Sequence, residues 1–164
     1  MPPARVVFDA NVVISGIVFG GRPRPCLRLA DSGLVASITT DAIVADVVDK
    51  LINRSGFTRD RADEAARYVH SFSDVVAVSG QIAGVCRDPD DDHILDCAAS
   101  GSAAFVVTGD KSAHLAVLRV RQSRWHSRQR GNPSTRRVLG ATCPWAARIL
   151  ICNSLYDKSL QQIR

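Results

Sequence analysis

The sequence lacks any apolar run approaching the roughly 20 residues that span a bilayer. It also lacks a basic opening stretch followed by an apolar core and a cleavage site. Both absences predict a cytoplasmic chain without a signal peptide. Five cysteines, at positions 26, 86, 97, 143 and 152, include no CxxC pair and no spacing with His that suits a metal. An odd set without a pattern reads as buried or incidental thiols in a reducing compartment, not as a disulfide scaffold. Acid is nearly missing from one region. Residues 119–164 carry 10 Lys/Arg and one acid, Asp157, whereas residues 1–118 carry 11 Lys/Arg and 15 Asp/Glu. The overall charge of +5 is therefore a body of −4 joined to a tail of +9. The basic character belongs to the tail and gives no reason for the body to bind nucleic acid.

What is present is a chain of 164 residues, 46% apolar, long enough for one domain with a real core. Arg5-Val6-Val7-Phe8 is a β-branched apolar run ending at Asp9, and it reads as a buried strand. Residues 11–19 have helical potential, stopped by Gly20-Gly21-Arg22-Pro23. Pro25 suits the first position of a short helix through Ala30. Residues 34–38 read as a second strand. Thr39-Thr40 then offers a capping oxygen to a helix running to about Asn53, whose apolar residues Ile43, Val44, Val47, Val48, Leu51 and Ile52 repeat at helical spacing. A polar, surface-facing helix is expected over 59–72, and a third strand over 75–78. A helix over 93–100 with Asp91 or Asp92 as its cap, a fourth strand over 104–107 and a last helix from Ser112 complete the body. Strands alternating with helices predict a three-layer αβα fold with a mainly parallel central sheet.

In such sheets functional groups collect at the carboxyl ends of the strands. Asp9 and Asp110 each follow a strand directly and would share one sheet edge. The four Asp of the stretch Asp88-Pro89-Asp90-Asp91-Asp92 cannot all be packed into a core, because unpaired buried carboxylates cost several kcal/mol each. Asp92 starts the helix before strand four, and Asp46 lies on the helix after strand two. Asp9, Asp46, Asp92 and Asp110 are therefore the candidate catalytic residues. Each alone also reads as a turn, cap or surface acid. Together they form a cluster that requires a cation, since like charges at close range raise one another's pKa. Oxygen donors without His or Cys favour Mg²⁺ or Mn²⁺ over Zn²⁺. Such an ion keeps several waters and accepts phosphate oxygens, which suits phosphodiester hydrolysis.

Val7-Phe8-Asp9-Ala10-Asn11-Val12-Val13-Ile14-Ser15, Thr40 with Asp46, Asp88-Pro89-Asp90-Asp91-Asp92 and Val107-Thr108-Gly109-Asp110-Lys111 resemble, in order and spacing, the PIN-domain nucleases. The likeness spans about residues 5–118 and points to the branch of VapC-like toxins of toxin–antitoxin systems. It implies a metal-dependent ribonuclease on single-stranded RNA that leaves a 5′-phosphate and a 3′-hydroxyl. It also implies a homodimer and a cognate antitoxin protein. Asp9, Asp92 and Asp110 would hold metal, and Asp46 would hold metal or orient the attacking water. Asn11 and Thr108, and more weakly Ser15, match positions that support the pocket. An inert PIN-like domain that only binds RNA or protein is the alternative. A phosphatase of the haloacid-dehalogenase type is disfavoured, because its second Asp is replaced here by Asn11.

Three departures from the family stand out. The second acid is usually Glu, and Asp46 is one methylene shorter; Asp49, on a neighbouring helical position, is a possible substitute. Asp90 and Asp91 compete with Asp92, which is preferred for its 18-residue spacing to Asp110. Asp96, one turn beyond, reads either as facing the same pocket or, by preference, as an exposed helix acid. Finally, the 1–118 domain is followed by a divergent basic tail, 119–164, which reads as an RNA-contacting arm or a loosely attached extension. Trp125-His126-Ser127-Arg128 can be encoded TGG-CAY-TCN-CGN, and moving one base then permits Gly-Ile-Pro-Val, the segment expected there in the family. This implies that the tail is read in a different frame from its relatives, and several relatives carrying the same tail in frame would refute it. Residues 146–151 read as a helix or strand that covers the sheet edge or mediates association.

Overall fold

Val6, Val7 and Phe8 alternate across a pleated strand and are all buried, so both faces of β1 (Ala4–Phe8) must be covered. The computed structural model describes residues 2–21, 23–78, 80, 82, 92–109 and 148–151. β1 lies at the centre of a five-stranded sheet of order β3-β2-β1-β4-β5, with every pairing parallel. Its neighbours are β2 (Val35–Thr39) and β4 (Phe105–Thr108), in registers Val7↔Ile38 and Phe8↔Val107. β3 (Ser73–Val75) and β5 (Arg148–Ile151) form the two edges.

Two apolar clusters separate cleanly by strand parity. Val6, Phe8, Val35 and Val107 pack with α1 (Ala10–Val18), α2 (Pro23–Asp31), α3 (Asp41–Ser55) and α4 (Arg59–Phe72). Val7, Ile38 and Val106 face the other way, onto Ile94, Cys97 and Ala98 of α5 (Asp92–Ser100). Burying each such Val or Ile contributes about 1.5–3 kcal/mol. The result is a three-layer α/β architecture, as the alternation of elements predicts. Gly101 permits the tight turn from α5 into the last turn before β4, since a Cβ there would lie 3.1 Å from the Cys97 carbonyl and closer still to Ile38. Among the described residues, no helix is long and apolar enough to cross a membrane.

Local details depart from the sequence expectations where tertiary pairing overrides them. The α2 helix starts at Pro23, so Pro25 falls inside its first turn, where a missing N–H is still tolerated. The third strand is Ser73–Val75, not 75–78. It follows α4 without a loop, and the Ser37 and Ser73 hydroxyls lie 2.7 Å apart across the β2–β3 pair. The α4 helix is not merely a surface element, because Ala62, Ala65 and Val69 are buried. Residues Arg148–Ile151, within the divergent tail, run parallel to β4 as a strand. The expected helix from Ser112 lies outside the described residues.

Candidate active site

Asp9 is fixed through both its backbone and its side chain at the carboxyl end of β1. Its own N–H donates to the Val107 carbonyl at 2.9 Å, which continues the β1–β4 pairing one step beyond the strand. Oδ1 accepts the Asn11 N–H at 3.0 Å, so Asp9 is the N-cap of α1. Oδ2 accepts the Thr108 hydroxyl at 2.7 Å. The carboxylate is therefore held from both sides, and only 5% of the residue is exposed. No Lys, Arg or His pairs with it among the described residues, where the ion pairs are Lys50–Asp46 and Arg59–Asp63. A buried carboxylate held only by neutral donors fits an added cation, because its charge has no opposite charge beside it among the described residues.

Of the other candidate acids, Asp92 and Asp46 are among the described residues. The turn after α5 enters β4 at the amino end of the sheet, where the Ala104 N–H donates to the Arg5 carbonyl at 2.8 Å. A nine-residue helix is about 13 Å long, so α5 begins back at the carboxyl edge. Asp92, its first residue, is 7% exposed there, beside the positive helix terminus. Asp46 lies five residues into α3, about 7.5 Å down the axis from the edge where that helix starts. Its Oδ2 accepts from Lys50 Nζ at 2.6 Å. The helix itself is anchored at the edge by Thr40, whose hydroxyl accepts the Ile43 N–H at 3.2 Å. Asp110, Asp90 and Asp91 lie outside the described residues. Among the described residues, no group of three His, Cys, Asp or Glu side chains forms a metal-holding set.

The supporting residues divide. Thr108 binds Asp9 through its side chain, whereas Asn11 does so through its backbone N–H and is itself exposed. Ser15 is half-buried in the second turn of α1, and its carbonyl caps the helix end by accepting the Phe19 N–H at 3.1 Å. Asp49 does not share the edge. It lines a groove between α3 and α4 with Arg59 and His70, and its Oδ1 accepts from Asn53. Asp96 is not exposed as its sequence position suggests. It is 4% exposed, and its Oδ2 accepts the Gly80 N–H at 2.7 Å, pinning the chain after β3 to α5. No sequence spacing announces that bond, since Gly80 and Asp96 are 16 residues apart.

Cys97 follows Asp96 and is fully buried. Burial first, and the Asp96 charge second, push its thiol up to about 12 from 9.0, with Arg5 opposing. The group is a thiol, not a nucleophilic thiolate, at neutral pH. Because the folded pKa is raised, this contribution to stability is complete below pH 9.0 and is lost as pH rises to about 12. Urea titrations across that range should show a steeper alkaline loss for the wild type than for Cys97→Ala. Parallel pH profiles would refute the assignment.

A family model described as PIN domain matches residues 5–112. The chain belongs to the PIN-domain family. No curated protein and no solved structure matches it. PIN domains are in general nucleases that use divalent metal ions. The matched segment contains the candidate acids Asp9, Asp46, Asp92 and Asp110. The oxygen-only donor chemistry of this PIN domain suits a hard divalent ion.

Proposed function

We propose that this PIN domain is a Mg²⁺- or Mn²⁺-dependent endoribonuclease acting on single-stranded RNA, and the toxin of a toxin–antitoxin pair. The observation that carries the reading is the Asp9 carboxylate, buried, held by Thr108 and Asn11, and lacking an ion pair among the described residues. Asp9, Asp92 and Asp110 would hold the ion, and Asp46 would hold it or orient the attacking water. The bound ion supplies Lewis-acid polarisation of the phosphoryl group and a more acidic water. The chain's own part is positional. Thr108 and the Asn11 N–H fix the Asp9 oxygens, α5 presents Asp92, and the helix terminus beside it favours anionic groups. The toxin role, a homodimeric state and neutralisation by a cognate antitoxin rest on the sequence resemblance.

Incubation with single-stranded RNA and Mn²⁺ should give fragments bearing 5′-phosphate and 3′-hydroxyl ends, and EDTA should stop the reaction. Cleavage that survives EDTA, or ends as 2′,3′-cyclic phosphates, would overturn the metal reading. The second reading, an inert PIN-like fold, is favoured by one observation: Asp46 is short and already engaged by Lys50 at 2.6 Å. Metal binding without any cleavage is its signature.

A further inference from the structure

A pocket of about 350 Å³ opens between α1, α2 and α4, on the helical layer and away from the acid-bearing edge. Its two walls are facing helical stripes. Arg24, Arg28 and Asp31 project from α2 at spacings of four and three, and Arg61, Glu64 and Tyr68 project from α4 at three and four. Gly16 of α1 lies at the base, where its missing Cβ lets Leu27 of α2 approach closely. None of the three arginines forms an ion pair among the described residues, although Asp31 and Glu64 line the same pocket. The Arg61 guanidinium sits 4.3 Å from the Phe57 ring centroid, which fixes its plane and leaves its edge N–H groups available. Tyr68 is 38% exposed, so part of its ring meets solvent. Burial first, and the Asp31 charge second, raise the pKa of its phenol, with Arg24 and Arg28 opposing.

We propose that this pocket is a second binding site for single-stranded RNA, in which Arg24 and Arg28 hold a phosphate and Tyr68 stacks a base. Guanidinium forks match phosphate oxygens bidentately, and an aromatic face accepts any base. The carboxylates of Asp31 and Glu64 suit the remaining donors of a nucleotide, its ribose hydroxyls and exocyclic amines. A pocket of this volume, at the small end of ligand sites, holds about one nucleotide. The site would anchor a strand whose continuation reaches the acid-bearing edge. The inference rests on the RNA-binding part of the proposed function, not on cleavage.

Binding of a labelled oligouridylate to the full chain is measured by fluorescence anisotropy in EDTA, so it reads affinity whether or not the chain cleaves RNA. Arg24→Gln with Arg28→Gln should weaken binding about tenfold and flatten the salt dependence by roughly 0.7 for each phosphate no longer neutralised. Tyr68→Leu should weaken it about tenfold with the salt slope unchanged. The basic tail contributes the same background in every variant. Arg67→Gln, an exposed arginine of α4 outside the pocket, controls for general charge. Equal loss in that control, or no loss in the pocket variants while their melting curves match the wild type, would overturn the proposal. Competition by an acidic peptide as strong as by unlabelled RNA would overturn it in favour of a protein partner. A chain that binds RNA through this pocket yet cleaves nothing would uphold it and sink the nuclease reading instead.

Discussion

Asp9→Asn should lower RNA cleavage by about three orders of magnitude while leaving the fold intact. Metal coordination contributes several kcal/mol to a phosphoryl-transfer transition state, and each 1.36 kcal/mol is about tenfold in rate. The substitution is nearly isosteric, and Asn caps helices about as well as Asp. Its carbonyl oxygen can still accept the Asn11 N–H, and its amide can face the Thr108 hydroxyl, so α1 keeps its start. Thermal melts separate this from a structural effect. At Mn²⁺ concentrations about 100 times Kd, a ligand bound only to the folded state adds about 2.7 kcal/mol. For a chain of this size that is a rise of roughly 5–10 °C in Tm. The wild type should show the rise and Asp9→Asn should not, while the two melt within a few degrees without metal. A wild-type Tm indifferent to Mn²⁺ would leave the carboxylate as a helix cap and nothing more. Thr108→Val, which removes one of the two groups orienting Asp9, should cost about 10–100-fold in metal affinity.

The two roles of Asp9 show why part of this site is legible in the sequence and part is not. A strand-like run ending in Asp, followed by a helical pattern, already places an acid at the sheet edge, and the parallel sheet puts Thr108 beside it through the Phe8↔Val107 register. Helical periodicity likewise predicts α3 and its capping Thr40. What periodicity does not encode is partner choice across the fold. The Asp96–Gly80 bond, the Ser37–Ser73 pair across β2 and β3, and the facing polar stripes of α2 and α4 depend on which elements become neighbours. The Lys50–Asp46 pair is the exception. It is a four-residue helical spacing, readable beforehand, and it bears directly on the second acid.

Asp46→Ala should lower cleavage by about 10²- to 10⁴-fold, the range expected for a positioned acid–base group. The ion pair with Lys50 does not prevent that role. Both side chains are partly exposed, at 27% for Asp46 and 18% for Lys50, and such four-residue helical pairs contribute only about 0.3–0.5 kcal/mol. A divalent cation, with its larger charge, outcompetes the ammonium easily. Removing the lysine should therefore help, and Lys50→Met should tighten Mn²⁺ binding by calorimetry. Asp46→Glu adds the methylene that lengthens reach toward the edge from a position about 7.5 Å along the helix. It should raise cleavage several-fold. Full activity in Asp46→Ala would reduce Asp46 to the surface partner of Lys50 and leave Asp9, Asp92 and Asp110 as the proposed acids. Loss in Asp46→Ala with a gain in Asp46→Glu would instead mean that the shortened side chain, not a defective fold, sets the rate of cleavage.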